Sequence, residues 1–428
     1  MAAEGIKTRP AAFIFIFITV ALDMLALGII IPVLPKLIES FVGGNTVKAA
    51  EMVGIFGTAW AIMQFLFSPA MGSLSDRFGR RPIVLLSNLG LGLDYILMAM
   101  APALSWLFVG RIISGITAAS VSTAGAYIAD VSPPDKRAQN FGMLGVAFGI
   151  GFILGPALGG ILGSYNVHYP FWAAAAMSLL NFAYGLFVLP ESQKSENRSP
   201  FSWAKANPLG SVKLLVSHHE LWGLGLVTFL SQLAHTSLPS IYVLYAGYRY
   251  GWGPDQVGFL LAGVGVASMV VQGGLVRPII GRIGERPALL LGLMCASIGM
   301  TWYGTAWIGV LTWIGVPIAA FWGLFNATSQ SVMSQRVSAS EQGQLQGALS
   351  SVTAFAGIIG PILFANVFAR SIDPAYGFDL PGLGYWLAGA LLLAAFLLAA
   401  FLTRQTRREN NPPADEALQD QAPPIRRS

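Results

Sequence analysis

Three ionisable side chains, Asp23, Asp94 and Arg111, lie inside long apolar stretches of the sequence. Placing such a group in hydrocarbon costs at least about 2.5 kcal/mol on insertion scales, so each one is a functional candidate by default. Burial disfavours the charge of a carboxylate, so a buried Asp23 could take up and release a proton or bind a substrate. The structural alternative is an Asp23 that pairs permanently with Arg111 and holds helices together.

The two other groups also allow more than one interpretation. Asp94 lies in a glycine-rich stretch, where it could contact a substrate or only hydrogen-bond a neighbouring helix. Arg111 could adjust the protonation of a nearby acid or link helices, and both roles matter to proton coupling.

His235 is the only histidine clearly at membrane depth, and an imidazole can titrate near neutral pH. It lies near Gln232 and Pro239, which favours a kinked helix that faces a cavity. A histidine that only packs against its neighbours explains the same pattern. The candidates for proton coupling are therefore Asp23, Asp94, Arg111 and His235.

A second group of charges lies in a tight turn between two apolar segments, at residues 72–82. Gly79 permits the turn, and Pro82 begins the next helix. Asp76 can cap the helix end or pair with a nearby arginine. These charges could form a network that gates one end of a cavity, or they could only set topology. The charged gating candidates are Asp76, Arg77, Arg80, Arg81, Asp130 and Arg137.

The composition indicates which elements must position these groups. The chain has 428 residues, of which 54% are hydrophobic and 11% charged, against about 25% charged in a typical soluble domain. Many apolar runs exceed the roughly 20 residues that cross a bilayer as a helix. We therefore predict an all-α membrane protein with twelve transmembrane helices, at roughly 11–36, 50–72, 82–101, 104–130, 139–163, 167–189, 217–247, 254–280, 287–307, 310–336, 343–369 and 380–403.

The distribution of basic residues predicts the orientation. Both termini and the loops on their side hold 20 of the 25 Lys and Arg residues, which places both termini in the cytoplasm. The longest interior polar stretch splits the spans six and six. The predicted organisation is an N-terminal six-helix bundle at 1–190, a cytoplasmic linker at 191–216, a C-terminal six-helix bundle at 217–403 and a disordered cytoplasmic tail at 404–428.

An internal repeat supports the two bundles. The turn at 77–82 matches 282–287 at an offset of 205 residues, and Gly155-Pro156 matches Gly360-Pro361 at the same offset. One gapless shift therefore aligns the loop between spans 2 and 3 with the loop between spans 8 and 9. Two homologous halves with a central cavity between them are a layout known in secondary transporters.

Several segments resemble a known family. Residues 72–82 resemble the loop signature of the major facilitator superfamily, and residues 145–160 resemble the span 5 motif of its drug/proton antiporters. More narrowly, residues 23–35, 93–95 and 110–117 are similar to the tetracycline-efflux group. The resemblance covers nearly the whole chain.

This resemblance implies roles for particular residues. It implies a substrate role for Asp94 and Gln272, which join Asp23 and Gln232 as candidates for the substrate cavity. In span 5 the glycines let helices approach closely and Pro156 adds a bend, so Gly155 and Pro156 are also gating candidates. The sequence also departs from the group. The span 9 aspartate of the group has no counterpart near residues 295–297, and its span 8 histidine is replaced at about Ser268. Tetracycline as the substrate therefore stays open.

The function we expect is proton-coupled efflux of tetracycline-like or other amphiphilic drugs by alternating access. The alternatives are a proton-linked carrier of an endogenous metabolite and a transporter-fold sensor that does not transport. The sequence has no nucleotide-binding lysine motif, metal pattern or nucleophile elbow, so we expect no enzyme, cofactor or metal. We expect small molecules, protons and lipid as partners, no nucleic acid, a monomer, and a bacterial inner-membrane location.

Overall fold

The computed structural model describes residues 10–410, apart from 119, 134–135, 194–195, 197, 199–218 and 339–340. Its regular structure there is helical throughout, as a bilayer requires of segments that must satisfy their own backbone hydrogen bonds. The helices of the N-terminal half are α1 Pro10–Ile30, α2 Leu34–Phe41, α3 Thr46–Phe78, α4 Arg80–Ala99, α5 Leu104–Thr117, α6 Ser120–Val131, α7 Arg137–Tyr165 and α8 Tyr169–Val188.

The C-terminal half repeats this organisation. Its helices are α9 His219–His235, α10 Ser237–Tyr250, α11 Pro254–Val270, α12 Val276–Ile283, α13 Glu285–Thr305, α14 Gly309–Ala320, α15 Trp322–Ser334, α16 Gln342–Ile372 and α17 Leu383–Asn410. A π-helical turn, Val271–Leu275, joins α11 to α12, and a short 3-10 turn, Pro374–Tyr376, follows α16.

Eleven helical segments in the described residues are long and apolar enough to cross a membrane. Some of these spans consist of two consecutive helices, as with α1 and α2 or α5 and α6. The pair α9 and α10, interrupted only at Thr236, supplies the remaining one as span 7. The predicted class, an all-α membrane protein with twelve spans, is confirmed.

The packing of the helices reproduces the repeat. Within the N-terminal bundle α1 packs on α7 and α8, and α4 packs on α8. Within the C-terminal bundle α9 packs on α16 and α17, and α13 packs on α17. The bundles meet where α7 packs on α11 and where α3 packs on α16, that is, span 5 on span 8 and span 2 on span 11. These two contacts exchange places under the internal repeat.

Two glycines at equivalent loops have the same unusual backbone. Gly79, between α3 and α4, has φ 104°, and Gly284, between α12 and α13, has φ 83°. This region of backbone space is strained for residues with a β-carbon, which explains why glycine occupies both turns. We call the end of the molecule that carries these two turns the charged end, and the other the opposite end.

The bundles are close at the opposite end and apart at the charged end. Near the opposite end, Gly160 of α7 and Gly258 of α11 bring the two backbones into contact, with no room for a β-carbon on either residue. Near the charged end, Gly145 of α7 and Gly281 of α12 have open space around them. The structure is therefore closed at the opposite end.

The structure adds detail to the predicted boundaries. The kink expected near Pro239 is a break at Thr236, and the π-helical turn in span 8 was not expected. The last helix continues to Asn410, into the segment predicted as a tail. The rest of that tail and most of the predicted linker lie outside the described residues.

Candidate functional site

A cavity of about 1260 Å³ lies between the two bundles. Aromatic and aliphatic side chains form much of its wall, and several amides interrupt them. Among the described residues that line it, Arg111 is the only one with a charged side chain. The lining amides come from both bundles, and they are Gln64, Gln232, Asn326, Gln330 and Gln346. A wall of this kind suits an amphiphilic molecule that is mostly apolar and carries a few polar groups.

Arg111 reaches the cavity from α5. Its guanidinium lies over the ring of Trp60, 5.7 Å from the ring centroid, and Trp60 also lines the cavity. The Nε atom of Arg111 is buried and has no hydrogen-bond partner among the described residues. The guanidinium therefore lies against the ring of Trp60 at the cavity wall.

Asp94 lies behind this wall, on α4, with 1% of its surface exposed. Its Oδ1 occupies the space where a β-carbon of Gly110 would lie, so the glycine before Arg111 lets the carboxyl group approach α5 closely. Neither carboxyl oxygen has a hydrogen-bond partner among the described residues. A buried acid without donors, next to a cationic side chain, is well placed to exchange a proton.

Asp23 is held differently. It is buried on α1, and its Oδ1 accepts a hydrogen bond from Asn181 Nδ2 at 2.8 Å. The amide of Asn88 fits this site with its nitrogen toward Asp23, 3.0 Å from Oδ1 and 3.1 Å from Oδ2, and its oxygen then accepts from Asn181 at 3.1 Å. The cluster links α1, α4 and α8. Such donors suit an ionised carboxylate.

The predicted site residues fall into two groups. Arg111, Gln232 and His235 line the cavity, whereas Asp23 and Asp94 are buried outside its lining. Gln272 lies in the π-helical turn, packs against Gly323 and is outside the cavity lining. The hydrogen bonds found at Asp23 come from Asn181 and, with its amide turned, Asn88.

The charged residues of the turn meet at the ends of three helices. Arg80 Nη1 donates to Asp76 Oδ1 at 2.5 Å and to Ser75 Oγ at 2.6 Å, and its Nε donates to Asp130 Oδ2 at 3.3 Å. Its backbone N–H donates to Glu191 Oε1 at 2.9 Å. All these partners belong to the N-terminal half, so the network is complete although the bundles are apart at this end.

The other predicted gating residues lie around this network. Arg81 donates to the Leu186 carbonyl at 2.6 Å, and Arg137 donates to the Ala129 carbonyl at 3.1 Å. Arg77 is exposed and lies over the ring of Phe78. In α7, Gly155 packs directly on Gly28 of α1, and the Pro156 carbonyl faces Gly258 across the interface between the bundles.

Three residues of these clusters were missed from the sequence. Asn88 and Asn181 stand inside apolar stretches, and an amide at membrane depth is a signal that could have marked them. Glu191 directly follows span 6, but nothing in the sequence says which loop it meets. Within the described residues no group of His, Cys, Asp and Glu could hold a metal ion.

A comparison with protein-family models matches residues 16–361, well over half of the chain, to the Major Facilitator Superfamily. The chain belongs to this family. As a member, it is a multi-pass membrane transporter, and the family expected from its motifs is confirmed.

Relatives in this family cover nearly the whole chain. The class C tetracycline resistance protein of Escherichia coli is 36% identical over 89% of this chain and 94% of its own length. The class H tetracycline resistance protein of Pasteurella multocida is 35% identical over 90% and 94%. The structure of the human organic anion transporter MFSD10 has a TM-score of 0.67 and 25% identity, covering 91% of this chain and 100% of that one.

A solved structure of lower identity has the same fold. The structure of the nucleoside transporter NupG has a TM-score of 0.73 at 13% identity, over 91% of this chain and 98% of that one. This likeness agrees with the two-bundle architecture described above.

Proposed function

We propose that this chain exports tetracycline-like or other amphiphilic drugs in exchange for protons, from the cytoplasm, by alternating access. The charged end then faces the cytoplasm, because the loops there carry most of the Lys and Arg residues. The relatives named as tetracycline resistance proteins support an export function of this kind.

The observation that carries the proposal is the relation between Asp94 and Arg111. Asp94 is buried without hydrogen-bond donors among the described residues, and it packs against Gly110, the residue before Arg111. Arg111 itself lies in the cavity wall. When Asp94 is ionised, it attracts the guanidinium. When Asp94 is protonated, that attraction is lost and the guanidinium extends into the cavity, where it competes with a bound drug. Protonation and drug binding then exclude each other, as exchange of drug for protons requires. Protonation of Asp94, behind the cavity wall, therefore changes the interactions of Arg111. Among the described residues that line the cavity, Arg111 has the only charged side chain, so this link couples protonation to substrate binding.

Asp23 supports this arrangement as a fixed charge. Its donors, Asn88 and Asn181, belong to α4 and α8, so the cluster holds α1 in register with the helix that carries Asp94. Sequence reasoning favours Asp23 as the proton carrier, and the hydrogen bonds favour Asp94 for that role. We propose Asp94 as the carrier and Asp23 as the carboxylate that keeps its surroundings in place.

The interface between the bundles supports alternating access. The contact of Gly160 with Gly258 closes the opposite end, and the open space around Gly145 and Gly281 leaves the bundles apart at the charged end. A rocking motion that separates the first pair and closes the second would carry a molecule from one side to the other.

A proton-linked metabolite carrier is the second candidate, and span 9 favours it. No acid lies at the position where the tetracycline-efflux group has one. Ser297 there is buried, and its hydroxyl donates to the Gly389 carbonyl at 2.8 Å. This hydrogen bond joins α13 to α17. Residues 295–297 are not among the described residues that line the cavity.

The test uses inverted membrane vesicles from bacteria that lack other efflux pumps. A pH gradient is imposed and followed with a pH-sensitive dye while tetracycline, and then a panel of amphiphilic drugs, is added. Dissipation of the gradient by a drug, in wild type and not in Asp94→Asn, supports the proposal. A response to another drug but not to tetracycline keeps the mechanism and changes the substrate. No response to any drug overturns drug export and favours the metabolite carrier or the sensor.

A further inference from the structure

We propose that His235, backed by Trp322, is the surface on which this transporter recognises flat, conjugated ring systems. The inference rests on the proposed export function and names the substrate class of its cavity. The imidazole and the indole lie parallel, with ring centroids 3.9 Å apart and planes 7° apart. The indole covers one face of the imidazole, and His235 itself lines the cavity. We call the two rings the stacked pair.

The stacked pair is held rigidly. Trp322 Nε1 donates to the hydroxyl of Ser231 at 2.8 Å, and Ser231 is fully buried on α9. His235 is the last residue of α9, and Trp322 is the first residue of α15. The stacked pair therefore lies where span 7 and span 10 are each interrupted, and it holds the two interruptions together. A surface that is already fixed loses little conformational freedom when a ligand stacks on it.

Polar groups surround the stacked pair. No described residue makes a hydrogen bond to the imidazole nitrogens of His235, so they remain able to bond a ligand. Gln232 lies one turn before His235, Asn326 lies one turn after Trp322, and both line the cavity. A flat ring system with keto, hydroxyl or amide groups along its edge would find a stacking surface and hydrogen-bond partners together.

The facing bundle offers a second planar surface. Trp60 with Arg111 over its ring lines the cavity from the N-terminal half. Among the described residues, no carboxylate lines the cavity. The wall thus provides planar stacking surfaces and no negative charge, which favours flat conjugated molecules over non-planar cations.

The test measures equilibrium binding to the purified full-length protein without a pH gradient. Tetracycline is the flat probe, and tetraphenylphosphonium is the non-planar cationic probe. His235→Leu keeps much of the side-chain volume but has no flat face, whereas His235→Phe keeps a flat face. Phe65→Ala is the control, because Phe65 lines the same cavity but meets Phe355 at a tilt of 47° instead of lying parallel to it.

We expect His235→Leu to weaken tetracycline binding about tenfold, and His235→Phe to keep it within about threefold of wild type. Neither variant should change the binding of tetraphenylphosphonium, and Phe65→Ala should not discriminate between the probes. Equal losses for both probes in His235→Leu, full tetracycline binding by that variant, or wild type that binds only the non-planar probe would each overturn the inference. Intact, ring-dependent binding without any proton-driven transport would instead overturn the proposed function.

Discussion

Gly160 of α7 and Gly258 of α11 bring the two bundles into contact through their backbones. A β-carbon on Gly258 would lie 3.0 Å from Gly160 Cα and would overlap the carbonyl oxygen of Pro156. A backbone atom cannot rotate out of the way as the end of a long side chain can, so the contact requires a residue without a β-carbon. Closure at the opposite end therefore depends on glycine at both positions.

Gly258→Ala should shift the protein toward the state that is open at the opposite end. Overpacking costs about 1–3 kcal/mol, and about 1.4 kcal/mol changes a ratio of two states tenfold. The measurement is the labelling of Val53→Cys, a cavity position, by a membrane-impermeant maleimide applied to whole cells with Cys295 replaced by serine. Gly281→Ala is the control, because open space surrounds Gly281. Equal labelling in both variants and wild type would contradict this role of the contact.

Asp23→Asn should destabilise the protein and abolish active transport. The variant places an amide where two asparagine amides donate, and an unmatched buried polar group costs about 1–3 kcal/mol. The double variant Asp23→Asn with Asn181→Asp restores a carboxylate within the same cluster. Thermal unfolding in detergent should therefore recover in the double variant. If the single variant unfolds at the wild-type temperature, the hydrogen-bonded cluster is not what holds α1 in place.

Asp94→Asn should separate proton coupling from substrate movement. The carboxyl oxygens of Asp94 accept no hydrogen bond from the described residues, so the amide removes none and the variant should still fold. Exchange of labelled for unlabelled substrate across vesicle membranes should persist, while uptake driven by a pH gradient should fall to background. Glu51→Gln, which changes an exposed acid of α3, serves as the control. Accumulation by Asp94→Asn at the wild-type level would show that the proton is carried elsewhere.

Arg80→Gln should slow turnover and lower thermal stability, because Arg80 joins the ends of α3, α4 and α6. It loses two ion pairs that are partly exposed, each worth about 1 kcal/mol at most. We expect the maximal transport rate to fall between about threefold and tenfold. The matched change Arg77→Gln removes an exposed charge from the same turn and should have little effect. Equal losses in the two variants would assign the effect to net charge and not to the network.

The span count and the two bundles follow from the sequence because each membrane helix satisfies its own backbone and must be apolar over a fixed length. The internal offset of 205 residues then relates the turns at Gly79 and Gly284, which share a backbone conformation. The interruptions inside spans were harder to predict from the sequence. Pro239 marked the bend of span 7 but not its position at Thr236, and Gly273 within span 8 did not by itself indicate a π-helical turn.

The sequence identified individual site residues but not which residues contact one another. The cost of burying a charge identified Asp23, Asp94 and Arg111, whereas the partners of Asp23 depend on how three helices pack. Asn88 and Asn181 meet Asp23 because α1, α4 and α8 come together, and no spacing along the chain shows this.

Proton release on substrate binding tests directly whether Asp94 exchanges the coupled proton. Purified protein in weakly buffered detergent solution is titrated with tetracycline, or with the drug that dissipates the gradient in vesicles, while the pH is recorded. We expect proton release in proportion to bound substrate for wild type and none for Asp94→Asn, with substrate still bound by both. Equal release by Asp94→Asn and wild type would contradict it.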